Sequence, residues 1–169
     1  MAIVRYDSAA SEGHRFPVEI RRRLYRLKPG GKLLEFEAEP VTDDKVSSKE
    51  LYVDEVTVRP RPGERLRYAV LEVALPPGAD VERTTWGMQV SGLGGSSLHP
   101  IERARHEPGD LSYAIPVDGL DGPLTVRHLV RFSQRGRFVL PPARLYRMYQ
   151  PEEKALEDEG RTRRALEVQ

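Results

Sequence analysis

Four histidines, His14, His99, His106 and His128, are the side chains here that could hold a metal or move a proton near neutral pH. Their spacing fits no zinc motif such as His-Glu-x-x-His. Zinc takes about three or four protein ligands, and only strand parity could gather histidines this scattered. No metal site is expected. His128 lies between Val126 and Val130 on an inward-reading parity. That position predicts a hydrogen-bonded core histidine rather than a base. The chain has no Cys, which excludes thiolate metal sites, disulfides and a cysteine nucleophile. The stretch Gly92-Leu93-Gly94-Gly95-Ser96-Ser97 has the glycines of a phosphate loop. It lacks the lysine and the following helix that would wrap a phosphate. Its serines also miss the Gly-x-Ser-x-Gly elbow, so a flexible loop is expected. Carboxylates are plentiful, yet none are paired as a glycosidase needs. These residues predict neither catalysis nor a cofactor.

Arg21-Arg22-Arg23 could form an anion patch. Glu35, Glu37 and Glu39 are its natural partners if a hairpin forms across Lys28-Pro29-Gly30-Gly31. Opposite charges across strands contribute about 0.2–1 kcal/mol per pair, so a solvated, charge-paired face is expected.

The elements that would position these groups read as strands. A length of 169 residues corresponds to roughly one domain. The charged fraction of 31% exceeds the usual value of about 25%, which suggests a modest core with polar extensions. Lys plus Arg is 27 and Asp plus Glu is 26, so no long-range pull on nucleic acid or anionic membrane is expected. No apolar run approaches the ~20 residues of a membrane span. Met1 to Ser11 contains no signal-like apolar stretch; an exported parent would carry its leader elsewhere.

Residues 1–16 read as a polar linker or lead-in. From Pro17 the period is two. Val18, Ile20 and Leu24 share one parity, and Arg22 falls on it, which predicts a bulge or an exposed strand end there. Leu34, Phe36 and Ala38 alternate with glutamates. Val56 and Val58 share a face, as do Ala69, Leu71, Val73 and Leu75. Leu111, Tyr113, Ile115 and Val117 form another set, and Val126, His128, Val130 and Phe132 the next. About eight or nine strands with frequent turn signals predict an all-β, antiparallel β-sandwich over 17–149. Its expected core is Leu34, Phe36, Val56, Val58, Leu71, Val73, Tyr113, Ile115, Val126, Val130, Phe132 and Phe138. In the charged tail, 150–169, Pro151 with Glu152 and Glu153 predicts a short helix ending near Gly160, or disorder.

Specific motifs gather near residue 150. Thr125-Val126-Arg127-His128-Leu129-Val130-Arg131-Phe132 leads to Gly136-Arg137-Phe138-Val139-Leu140-Pro141-Pro142-Ala143, then to Met148-Tyr149-Gln150-Pro151-Glu152. This resembles the end of bacterial alpha-2-macroglobulin-like proteins, where Gly-x-Phe-x-x-Pro-Pro-Ala precedes a closing Met-Tyr-x-Pro-Glu. Ile20 to Leu27 is similar to the family's arginine-tyrosine strand. Val53 to Arg59 and Tyr68 to Gly78 are similar to its paired strand and proline-glycine turn. The resemblance covers roughly residues 17 to 152 and implies a macroglobulin-like, immunoglobulin-like sandwich.

It also implies a function. The family's members are large periplasmic protease traps, often lipid-anchored. A protease cuts a bait region and is enclosed, and in many members a Cys-Gly-Glu-Gln thioester in a separate helical domain then captures it. Without Cys this chain cannot carry that bond. It resembles only the C-terminal, receptor-binding-type domain, and a thioester-free parent of the MagD type is compatible with it. The resemblance gives Tyr149 a shielding role, and Met148, Tyr149 and Arg147 an interaction surface toward other domains of the parent. The trapped protease would be an indirect partner. Read by itself, Tyr149 has two placements: a ring covering a neighbouring domain's reactive bond, or a side chain packed at a strand end. A separate reading, an immunoglobulin-like adhesion or carbohydrate-binding module of a secreted protein, explains the strands but not the closing motif.

Overall fold

The computed structural model describes residues 17–94, 98–99, 111–157 and 165–169. The expected lead-in over 1–16, the last three residues of the glycine-rich stretch, His14, His106 and Gly160 lie outside them. Among the described residues thirteen strands form: β1 (Val18–Pro29), β2 (Glu35–Pro40), β3 (Lys45–Val46), β4 (Leu51–Pro60), β5 (Leu66–Ala74), β6 (Ala79–Val81), β7 (Gln89–Ser91), β8 (Ser112–Leu120), β9 (Leu124–Phe132), β10 (Gly136–Val139), β11 (Arg144–Arg147), β12 (Gln150–Leu156) and β13 (Ala165–Val168).

A strand with alternating apolar residues must bury its apolar face against a second layer. Here a six-stranded sheet, ordered β6-β9-β4-β1-β2-β7, and a four-stranded sheet, ordered β12-β11-β5-β8, bury those faces in one cluster. A three-stranded sheet, β10-β13-β3, adds Val46, Leu166 and Val168 to it. Pairing is antiparallel except for β2 with β7 and β3 with β13. The all-β sandwich expected from alternation is what forms. The strand count is higher than eight or nine because β3, β6 and β7 have only two or three residues, too few to show a period, and the tail adds two more.

The inward positions Ile20, Val56, Val58, Leu71, Val73, Tyr113, Ile115, Val126, Val130 and Phe132 are buried. Tyr52 and Phe132 meet edge to face, ring centroids 5.4 Å apart. Leu34 is not core. It lies in the turn before β2 at φ 63° and is exposed, and its carbonyl accepts from Gln89 N–H at 2.9 Å. Leu111 likewise falls just outside β8 and is exposed. Phe36 packs only at the margin of a second cluster.

That second cluster explains why β4 and β9 are buried on both faces. Tyr25, Leu27, Ala38, Val53 and Leu129 point away from the main core and are covered by Leu93, with Met88, Val90 and Leu98 around it. Leu93 and Leu98 therefore lie against the outer face of the six-stranded sheet, of which β7 is the edge strand. Gly92 permits the close approach: it has φ 84°, and a Cβ there would sit 2.8 Å from the Ala38 carbonyl.

The tail departs most from expectation. Instead of a short helix after Pro151, Gln150–Leu156 is a strand paired with β11, and Ala165–Val168 is a strand between β10 and β3. A short isolated helix is marginal in water. Adding strands gives each backbone a ladder partner and buries Ala155, Leu166 and Val168. The ordered sheets thus run past residue 149.

Candidate functional site

The closing motif is a hairpin turn. In β11, Leu145 is fully buried between Leu71 of β5 and Ala155 of β12. Tyr146 opposes Lys154, but Arg147 opposes Gln150, so Pro151, Glu152 and Glu153 are thrown out of the ladder. A bulge is where a strand tolerates proline, which has no N–H to donate. Arg147 Nε sits 2.7 Å from Glu153 Oε2 and ties the bulge across the hairpin.

Met148 and Tyr149 form the two-residue turn between β11 and β12. Among the described residues no layer covers this tip, and Met148 is 43% exposed and Tyr149 78% exposed. Tyr149 is therefore not packed into the core. Its ring meets that of Tyr68 of β5 edge to face, with centroids 6.0 Å apart. Met148 N–H donates to the Tyr68 carbonyl at 2.7 Å. The three residues expected to form the surface, Arg147, Met148 and Tyr149, are thus consecutive at one tip, with Arg147 committed to Glu153. Sequence reasoning missed Tyr68. The available signal was a break in alternation, since Leu66 and Ala69 are both buried and strict period two cannot place both inward.

A buried polar cluster joins the two large sheets. Arg22 is not at a bulge or a strand end: β1 pairs with β4 without interruption from Val18 to Arg26. Its guanidinium grips Asp54 bidentately, Nε to Oδ1 at 2.8 Å and Nη2 to Oδ2 at 2.7 Å. Nη1 donates to the carbonyls of Ala74 and Pro141, so one buried cation ties the two large sheets together. Tyr113 Oη donates to Asp54 Oδ2 at 3.1 Å. Burial works against the Arg22 charge, but Asp54 more than offsets it, and the pKa is raised. Burial, then the Asp54 charge, holds the Tyr113 phenol well above its usual range. The Arg21–Arg23 run therefore does not pair with Glu35, Glu37 and Glu39. The hairpin forms, but its register sets Arg26 opposite Glu39 and Lys28 opposite Glu37. Arg21 instead bridges Glu19.

His128 is buried as expected, its ring 4.8 Å from that of Tyr113, but neither nitrogen has a hydrogen-bond partner among the described residues. Burial lowers its pKa to about 4, with Asp54 pulling the other way and His99 adding to the depression. On the opposite face Arg127 Nε donates to Glu55 Oε2 at 2.7 Å, and Nη2 donates to the Leu93 carbonyl. A second buried ion pair thereby anchors the covering segment.

The chemistry available is limited. Among the described residues no three His, Asp or Glu are grouped to hold a metal ion. The space among Arg22, Asp54, Leu75, Val130, Phe132 and Leu140 is about 10 Å³, room for at most about one water. The arrangement places an exposed aromatic and a thioether at the tip of a hairpin whose strands are both paired.

Comparison with known proteins follows this geometry. Residues 18–152 match the family described as the bacterial alpha-2-macroglobulin MG10 domain. An alpha-2-macroglobulin of Ralstonia nicotianae is 46% identical over 95% of this chain, and the chain spans 12% of that protein's length. The fold is similar to that of the native Escherichia coli alpha-2-macroglobulin from domain MG7 to the C-terminus, with TM-score 0.62 and 16% identity over 96% of this chain and 25% of that one. It is also similar to the E. coli protein activated by porcine elastase, with TM-score 0.64 and 18% identity over 96% of this chain and 14% of that one.

Proposed function

The chain belongs to the bacterial alpha-2-macroglobulin MG10 domain family, and on that footing we propose that it is a non-catalytic docking and shielding domain of a bacterial macroglobulin-type protease inhibitor. The observation that carries this reading is the hairpin tip at Met148 and Tyr149, the latter 78% exposed on a tightly braced turn. Its natural cover is another domain of a parent chain, because this chain matches only 12% of its Ralstonia relative. Met, aromatics and Arg are the types enriched at interface centres. In a thioester-bearing parent, the Tyr149 ring would exclude water from the bond while its hydroxyl donated one hydrogen bond. In a thioester-free parent the same tip would serve docking alone. The protease would meet the parent's bait region and not this domain, and the parent would work in the periplasm.

The test is Tyr149→Ala. In the 169-residue chain, removing the exposed ring should change stability by no more than about 1.5 kcal/mol, the upper range of an aromatic pair such as that with Tyr68. In the full-length parent, loss of an anchor should weaken docking by about 2 kcal/mol or more, seen as faster cleavage between domains by a trace of protease. A full-length variant that resists cleavage as the wild type does would refute the proposal.

A further inference from the structure

We infer that Tyr68 is a positioning residue for Tyr149, holding its ring in the orientation that docking uses. This rests on the docking role proposed for the hairpin tip and deepens it. Among the described residues four non-glycine positions have positive φ. Leu34, Asp44 and Trp86 lie in bends or turns; Tyr68, at φ 53°, lies inside strand β5. The left-handed region is unfavourable for an aromatic residue. Such strain persists where the surroundings over-determine it, often at a functional site.

The local geometry shows what the conformation achieves. Leu66 and Ala69 are both buried. The ladder with β8 keeps one register through this point, Arg67 opposite Gly119 and Ala69 opposite Val117, while Tyr68 and the facing Asp118 form no pair. Here the left-handed Tyr68 is unpaired in the ladder, and its ring, 54% exposed, lies outside the core. A left-handed backbone alone would be served best by glycine, which adopts this conformation freely. A tyrosine there adds only its ring, and that ring meets Tyr149 at 6.0 Å and 65°. The Tyr68 carbonyl accepts from Met148 N–H at 2.7 Å, so the same residue fixes the turn's backbone and its side chain. An exposed tyrosine at a hairpin tip otherwise samples several rotamers. Restricting them beforehand lowers the entropy lost on docking.

The experiment compares Tyr68→Gly, Tyr68→Phe, Tyr149→Ala and the Tyr68→Gly/Tyr149→Ala double variant. In the 169-residue chain, Tyr68→Gly removes the ring and accepts the left-handed backbone. Its melting midpoint should match or exceed that of the wild type, while nuclear relaxation of the Tyr149 ring should report greater motion. In the full-length parent, Tyr68→Gly should weaken docking about two- to ten-fold, the range of an aromatic pair. Tyr68→Phe should dock like the wild type. The double variant should dock no worse than Tyr149→Ala alone. Weak docking by Tyr149→Ala with wild-type docking by Tyr68→Gly would overturn the inference and leave the docking role standing. Wild-type docking by Tyr149→Ala would overturn both. A Tyr68→Gly chain that unfolds would make Tyr68 a structural prop and end its positioning role.

Discussion

Asp54, 1% exposed, receives two donors from Arg22 and one from Tyr113. Asp54→Ala would leave the Arg22 cation buried without its counter-charge, a loss of about 3–5 kcal/mol. Urea unfolding at neutral pH should show it, and Arg22→Met together with Asp54→Leu should recover most of it by replacing the pair with apolar volume. His128 makes the opposite kind of forecast. Its folded pKa of about 4 lies below the ordinary 6.5, so between those values the unfolded chain binds the proton and the folded chain does not. Its contribution is complete above pH 6.5 and is lost as pH falls to about 4. The loss sums to about 3 kcal/mol at about 1.4 kcal/mol per unit. His128→Leu should flatten that part of the stability profile, set against the same curve for the wild type. It should cost little at pH 7.5, because no hydrogen bond to either nitrogen is lost among the described residues.

At the scale of elements, β12 and β13 are the clearest departure from what the local sequence suggests. Their contribution is the buried side chains of Ala155, Leu166 and Val168 and the ladders with β11, β10 and β3. Burying one Leu or Val is worth about 1.5–3 kcal/mol. A chain ending at Tyr149 should therefore lose roughly 5 kcal/mol or more and melt far below the intact chain in a thermal scan. A frayed helix would have left the midpoint unchanged. The strands β5, β8 and β9 were legible in the sequence because each carries several apolar residues at alternate positions: Ala69, Leu71 and Val73; Tyr113, Ile115 and Val117; Val126, Val130 and Phe132. In β12, the bulge at Pro151–Glu153 breaks the period just where a helix start signal occurs. Nothing local could then choose the strand; the pairing partner, Leu145 and its neighbours in β11, did.

For the molecule as a whole, the sheets are stitched from distant segments. Leu51 pairs with Arg131, and Glu72 with Arg144. Such pairings require closing long loops before their contacts form, so refolding by dilution from denaturant should take milliseconds to seconds, as in other β-sandwiches. A refolding phase in microseconds carrying the full amplitude would contradict this topology. The same stitching braces the hairpin's strands: β11 is held between β5 and β12, while β5 is held by β8 and, through Arg22 and the Ala74 carbonyl, by β1. An anchor residue on such a support can dock without first being ordered.

What the sequence determined by itself was the all-β class, the inward faces of the long strands and the family resemblance over residues 17 to 152, which the matched family spans from 18 to 152. Alternation is a local property, because the side-chain period is two wherever a strand is flanked by a core. The motif around Met148 and Tyr149 is equally local. Tertiary structure alone decided that Arg22 is a buried cross-sheet ion pair, that β4 and β9 are buried on both faces, and that Met148 and Tyr149 form a turn rather than a strand end. It also decided that Tyr68 stands beside Tyr149. Each of these depends on register with a segment far away in sequence. A one-residue change in register exchanges the faces of a strand, and no local pattern in a single chain encodes which distant residue will arrive opposite.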